Sequence, residues 1–376
     1  RSCRHDWVLP PPRAPKWGIL AQMLPLMLIF AAGCGPAATS IGILPDFEAD
    51  NSDGDTGIEG APGVDDTADS ANDTGDAGPS DEEAQAALFT ESTIHEIEIT
   101  LSEDAENGLW RDPYEFVSAA ITINGNVIEQ VGIRLRGKVG SFRTLSGKPK
   151  FKIDFREFVD NQDFHGLKSL SLNNAVVDCS YLKESVGYRV FREAGIPAGR
   201  TGFSHVTVNG QDYGLYVLVE VPDSQFLESR FPDDDEGNLY DGKYIYNPNN
   251  GSYTMVDFAT GVDELFQLEE GTDVGHADIT SISETLGSIR GVGAYDALAD
   301  RVDWAEITAN WAAEQWVGHV DGYAMNRNNY RVYFRPSDGK MVIIPWDFDY
   351  AFIEDYEWGM NWKNPTGKLA AACWRD

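Results

Sequence analysis

From Ile94 onward, apolar and polar side chains alternate in short runs, the period-two pattern of half-buried strands. Ile94-His95-Glu96-Ile97-Glu98-Ile99 is one such run. Lys150-Phe151-Lys152-Ile153-Asp154-Phe155 is another, with Lys150, Lys152 and Asp154 on one face. Phe116–Asn124 and Asn126–Arg136 predict a hairpin around Asn124-Gly125-Asn126, as do Phe203–Asn209 and Tyr213–Val221 around Asn209-Gly210. Leu170-Ser171-Leu172 adds a short strand. The period becomes helical between Ser180 and Ala194, with Leu182, Val186 and Val190 at i, i+4 and i+8 before the stop Gly195-Ile196-Pro197. Further helices are expected near Val262–Leu268 and Ile279–Ile289. Another opens at Asp303, with Glu306 at the capping-box position and Trp304, Ile307 and Trp311 on its buried face. A last hairpin, Asn329–Arg335 and Lys340–Ile344, turns at Pro336-Ser337-Asp338-Gly339. Hairpins first and helices later predict an α+β domain, antiparallel and β-rich in its N-terminal part, helical in its C-terminal part.

The chain before residue 87 does not share this pattern. Residues 17–33 are apolar, follow Arg13 and Lys16, and close on small residues, as a secretory signal does. Ala32-Gly33-Cys34 resembles a bacterial lipobox, so residues 1–34 read as a signal segment and Cys34 as the lipidation site. The expected location is the cell envelope, with the membrane as a partner through a lipid on Cys34. Residues 35–86 read as an acidic disordered tether: 46–86 contains no Lys or Arg and has too few large apolar groups to offset the entropy of ordering. Residues 87–376 remain as the folded domain.

Charge narrows the partners. The chain carries a formal net charge of -32, made of +3 in residues 1–45, -14 in 46–86 and -21 in the rest. A surface that acidic argues against nucleic acid, whose phosphates need Lys and Arg. Cys3, Cys34, Cys179 and Cys373 form no CxxC or Cys/His cluster, which argues against structural zinc. Cys179 and Cys373 either pair or remain free thiols.

Candidate chemistry gathers at the two open ends of the last hairpin. His319, Asp321 and Asn326 give H-x-D-x-x-x-x-N at one end, and Asp347 and Asp349 follow the returning strand at the other. This is the set that phosphoryl transfer to a hydroxyl requires: an Asp to take the hydroxyl proton, and an Asn and a second Asp to hold Mg²⁺. The anion-binding side is expected from Arg134-Leu135-Arg136-Gly137-Lys138 and from Lys148, Lys150 and Lys152. Lys152 on a strand and Glu184 on the next helix resemble the lysine–glutamate pair of protein kinases. There is no GxGxxG and no Walker A loop, so phosphates must be met by side chains and the short RGKVGS turn.

Three stretches carry a family resemblance: RLRGKVGSFRTLSGKPKFKIDF, the run from DFHGLKSLSLNN through NGQDYGLYVLVEVPDSQFL, and DGYAMNRNNYRVYFRPSDGKMVIIPWDFDYAF. Together they resemble the spore coat protein H (CotH) kinase family over roughly 95–360. The resemblance implies an atypical, secreted protein kinase fold that uses ATP with Mg²⁺ or Mn²⁺ on a protein substrate at the cell surface. Asp321 resembles the catalytic Asp. Asp347, with Asp349 and Asn326 or Asn329, would form the metal site, Asn328 being the third asparagine present. Arg136, Lys148 and Lys152 match its basic strand region, which with Glu184 as the partner of Lys152 would bind the cofactor, and Glu220 matches the glutamate of the second hairpin, with an ion pair in the scaffold as the alternative for that residue. Further helices are expected beyond Asp376. The competing reading is a non-catalytic surface protein that keeps the fold as a binding module.

Overall fold

The computed structural model describes residues 79–138, 140–247, 252–353 and 362–376. The expected signal segment, Cys34 and the tether up to residue 78 lie outside these residues. Helical structure begins before Ala87, inside the stretch expected to be tether. Helix α1 (Asp81–Leu88) starts at Ser80, whose hydroxyl accepts from the Glu83 N–H while the Glu83 carboxylate accepts from the Ser80 N–H (2.9 Å). It delivers Leu88 and Phe89 to the core.

Seven strands then form a closed barrel: β1 (Ile94–Thr100), β2 (Val117–Ile123), β3 (Asn126–Arg136), β4 (Lys150–Asp154), β5 (Ser169–Asn173), β6 (Thr201–Val208) and β7 (Gln211–Glu220). The order is β1-β2-β3-β4-β5-β7-β6. All neighbours are antiparallel except β1 and β6, which run parallel and close the ring. Alternation decides which side chains fill it: Ile97, Ile99, Ile121, Ile133, Phe151 and Ile153 point into one apolar core. Lys150 and Lys152 consequently face outward from β4.

Helix α2 (Glu103–Arg111) joins β1 to β2, and α3 (Lys183–Glu193) packs outside the barrel. The face of α3 is rotated from the one expected, and of its three aliphatic positions Val190 alone packs against the core. Leu182 and Val186 are exposed, whereas Glu184, Ser185, Gly187, Tyr188 and Phe191 are buried. The aliphatic spacing is overridden because a polar and aromatic face meets the loop after the last hairpin.

After β7 and α4 (Ser224–Arg230), β8 (Asn238–Asp241), β11 (Gln267–Glu270), β12 (Tyr330–Phe334) and β13 (Met341–Pro345) form an antiparallel sheet in the order β11-β8-β12-β13. β9 (Ile245–Asn247) and β10 (Ser252–Thr254) pair by themselves. Around this sheet lie α5 (Ala277–Ser288), α6 (Ala294–Ala297), α7 (Trp304–Trp316), α8 (Tyr323–Asn326) and α9 (Lys368–Arg375). The helix expected at Val262–Leu268 shrinks to one 3₁₀ turn, Asp263–Leu265, because β11 takes the following residues into the sheet. Asp303 does cap α7, but Glu306 spends its carboxylate on the Ile343 N–H (3.1 Å) instead of returning to the cap. Cys179 and Cys373 do not pair with each other: Cys179 lies at the surface and Cys373 is half-buried.

A separate apolar cluster sits where the two parts of the domain meet. It joins Tyr188 and Phe191 of α3, Val217 and Val219 of β7, Ala313 of α7, and Trp346 and Phe348. The domain is therefore mixed α+β, with a β-rich N-terminal part and several helices following. The last hairpin opens onto the junction.

Candidate functional site at the junction

β13 ends at Pro345, and the chain turns through Asp347 at φ 49°, the left-handed region that Asp tolerates better than most residues. Two side chains of α3 hold this turn. The Asp347 N–H donates to Tyr188 Oη (3.1 Å), and the Phe348 N–H donates to the Glu184 carboxylate (3.1 Å). The Phe348 ring packs on Tyr188, Phe191 and His319, with centroids 4.6, 5.0 and 4.6 Å away. His319 is thus an apolar contact more than a polar one, and burial lowers its pKa to about 4.

The lysine that meets the aspartates is Lys150. Its ammonium lies 2.9 Å from Asp347 Oδ2 and 2.8 Å from Asp349 Oδ2, and the residue is 1% exposed. Burial alone would raise the Asp347 carboxyl, but Lys150 and then Arg136 outweigh it and hold Asp347 below the usual carboxylate range. Burial and the Asp347 charge push Asp349 up. Burial and Asp347 also raise Glu184, which accepts from Asn173 Nδ2 (2.7 Å).

On the facing side, Asp321 collects all three candidate asparagines. Asn326, Asn328 (3.0 Å) and Asn329 (2.8 Å) each donate Nδ2 to its carboxylate. Asn329 also reaches the Asp347 carbonyl (3.4 Å), so it touches both aspartate-bearing segments. Burial raises Asp321 to about 6 against these hydrogen bonds, leaving a carboxylate basic enough to take a proton near neutrality.

The remaining sequence candidates separate. Arg136 belongs to the site: it donates to Ser171 Oγ, lies over the Trp346 ring at 4.9 Å, and acts on Asp347. Arg331 of β12 lies over the same ring at 5.0 Å. Lys152 does not pair with Glu184. Its charged neighbours are Arg134, Arg331, Glu269 and Asp154, because it sits one full strand repeat beyond Lys150. Lys148 is likewise taken elsewhere, donating to Tyr181 Oη (3.0 Å) and the Leu215 carbonyl (2.6 Å). Glu220 is an ion-pair residue of the scaffold, bound by Arg200 (2.6 Å) and Arg230 (2.7 Å). Its carboxylate has no capacity left for a cofactor.

No three His, Cys, Asp or Glu side chains among the described residues group as a metal site. The donors at the junction are the carboxylates of Asp347 and Asp349 and the carboxamides of Asn326 and Asn329. These are hard oxygen ligands, and they fit Mg²⁺ or Mn²⁺, which share such sites with substrate phosphates and water.

The sequence model described as CotH kinase protein matches residues 133–372. The chain belongs to the CotH family. Inner spore coat protein H of Bacillus subtilis (strain 168) is 20% identical over 259 residues, covering 67% of this chain and 66% of the relative's length. Membership in a family described as a kinase supports a kinase-like protein and, in general terms, ATP and a divalent metal.

Residues that the sequence reading passed over complete the site. Asn174 Nδ2 donates to the carbonyls of Ser141 (3.1 Å) and Lys148 (2.6 Å), fastening the RGKVGS turn and the start of β4 together. Gly140 in that turn (φ 86°) lies against the Tyr350 hydroxyl, leaving no room for a Cβ. Neither had a sequence signal beyond proximity to a motif. Lys150 did have one, since alternation places it on the same face as Lys152, but alternation cannot rank two lysines on one face.

Proposed function

We propose that this protein is an atypical protein kinase that transfers the γ-phosphoryl group of ATP to Ser or Thr hydroxyls of a protein acceptor outside the cytoplasm. The observation that carries the reading is the convergence of Asp321, Asp347 and Lys150 from three distant segments onto one junction. Asp321 takes the acceptor proton as the hydroxyl oxygen bonds to the γ-phosphorus and the bond to the β-phosphate oxygen breaks, releasing ADP. Its tether to three asparagine amides fixes the angle at which the carboxylate meets the hydroxyl. Asp347 with Asn326 or Asn329, and Asp349 beside them, would hold Mg²⁺ or Mn²⁺, whose charge offsets that of the phosphates. Arg136 and Arg331, both over the Trp346 ring, supply cations beside the same junction. A β-rich part followed by several helices, with the site between, supports a kinase-like fold. We further assign residues 1–34 to a signal segment, Cys34 to a lipid anchor and residues 35–78 to the tether, which puts the domain at the cell envelope. Nucleic acid has no place in this reading.

One observation favours the alternative, a non-catalytic binding module. Lys150 is engaged by two aspartates and Glu184 by Asn173 and the Phe348 N–H, so no lysine–glutamate pair is made. Incubation with γ-labelled ATP, Mg²⁺ or Mn²⁺ and a generic acceptor protein separates the two. The kinase reading expects label on the acceptor, lost in Asp321→Ala with nucleotide binding retained, and both lost in Asp347→Ala. Metal-dependent nucleotide binding without transfer by the wild type supports the module.

A further inference from the structure

A cavity of about 350 Å³ lies between α5, α9 and the segment 258–260, and none of its lining residues belongs to the Asp321 junction. The sequence explains why it is left unfilled. α5 offers Ser283, Leu286 and Gly287 at i, i+3 and i+4, and α9 offers Lys368, Ala371, Ala372 and Arg375 at i, i+3, i+4 and i+7. Small residues therefore meet small residues at the centre of a helix pair, where close packing ordinarily leaves no void.

Two independent features say what the space accepts. The Ser283 hydroxyl is 1% exposed and has no hydrogen-bond partner, an unmet cost for a buried polar group. Lys368 and Arg375 both line the cavity, whereas no lining residue is acidic, in a chain of net charge -32. The carboxylates adjoining α9 are largely taken up by other groups, Tyr323 Oη also donating to Asp257 (3.0 Å) and Asp376 also feeling the Arg375 charge. Asp257 accepts from the N–H groups of Lys368 (2.9 Å) and Phe258 (2.7 Å), and Asp376 from those of Gly293 (2.5 Å) and Tyr295 (2.7 Å).

We propose that this cavity is a binding site for a small organic anion. Its carboxylate or phosphate head is held by Lys368 and Arg375, its apolar body of a few carbons rests against Phe258, Leu286 and Ala372, and the Ser283 hydroxyl donates to a polar atom of the bound molecule. The volume is at the small end of the range of ligand sites, which suits a metabolite-sized occupant and excludes a nucleoside triphosphate.

The test is calorimetric titration of the intact protein, without nucleotide, using hexanoate, hexyl phosphate and hexanol as probes. Saturable binding of hexanoate or hexyl phosphate, with hexanol much weaker, is expected, and the stronger of the two acids identifies the head group. Leu286→Trp, which fills the cavity, abolishes binding. The surface variant Arg375→Glu, which leaves the helix pair intact, weakens it about tenfold or more, the loss of one charge-assisted hydrogen bond. No saturable binding of either acid, binding that survives Arg375→Glu unchanged, or hexanol binding as tightly as hexanoate overturns the proposal. Because nothing in the readout involves phosphoryl transfer, failure of the kinase reading leaves this result standing.

Discussion

Replacing Lys150 by Met removes the one cation that both Asp347 and Asp349 touch while keeping most of the apolar stem in place. Removing one partner of a buried ion pair costs about 3–5 kcal/mol, because the charge left behind has neither water nor a counter-ion. Here two carboxylates lose the same lysine and Glu184 stands beside them, so the upper end, about 5 kcal/mol, is expected at neutral pH. That is a large share of the 5–15 kcal/mol, roughly, that holds a domain together. The sign of the pH dependence follows from Asp347. Its carboxyl is held below the unfolded value of 3.8, so its contribution is present above that value and is lost as pH falls through the lower folded one. Without Lys150 that depression shrinks, and the gap between wild type and variant narrows as pH falls below 3.8 toward the lower folded value. Lys152→Met is the control. Lys152 is crowded by Arg134 and Arg331, so its removal changes stability by about 1 kcal/mol or less. Urea unfolding followed by tryptophan fluorescence, at neutral pH and at about pH 3, measures both. A Lys150→Met protein within about 1 kcal/mol of wild type, or a Lys152→Met protein that loses more, would refute this account of the junction.

Glu314 is buried and accepts from the N–H groups of Tyr323 (3.0 Å) and Ala324 (3.1 Å), and burial raises it to about 8. A raised carboxyl stabilises fully below its unfolded value of 4.5 and loses that contribution as pH rises through about 8, so wild type should weaken relative to Glu314→Gln across that window in pH-dependent unfolding. Glu220→Gln strands Arg200 and Arg230, costing about 3–5 kcal/mol in chemical unfolding while leaving nucleotide affinity unchanged. A fall in affinity at unchanged stability would return Glu220 to the cofactor site. Gly187→Ala drives a Cβ to within 2.7 Å of the Phe348 ring, and overpacking of about 1–3 kcal/mol should appear in unfolding together with weaker metal-dependent nucleotide binding.

How much of this was legible beforehand depended on the length scale of the signal. Strands were readable because the period of two is local: β1, β4 and the three hairpins fall within a residue or two of their expected limits. So was the pairing of Asp321 with Asp347, since a hairpin's two ends must meet. What failed depended on distant partners. α3 presents Val186 to solvent, while Val190 packs inward, because Phe348, far away in sequence, claims its Gly187 and Tyr188 face. The choice between Lys150 and Lys152 turns on one strand repeat, which only the position of the Asp347 turn decides. Glu220 looked like a site residue by its motif, and two arginines outside that motif account for it.

The parallel contact between β1 and β6 has a practical consequence for anyone isolating the domain. The family match begins at Ile133, in the middle of β3, so a fragment trimmed to it would discard β1, β2 and half of β3. Those strands are staves of the ring: Ile97, Ile99, Ile121 and Ile123 help fill its interior, and β1 is hydrogen-bonded on both flanks. The trimmed piece would carry two raw sheet edges, on β3 and β6, open to pairing with other chains. A fragment meant to fold as this domain therefore has to reach upstream of β1 and include α1 with its Ser80 cap.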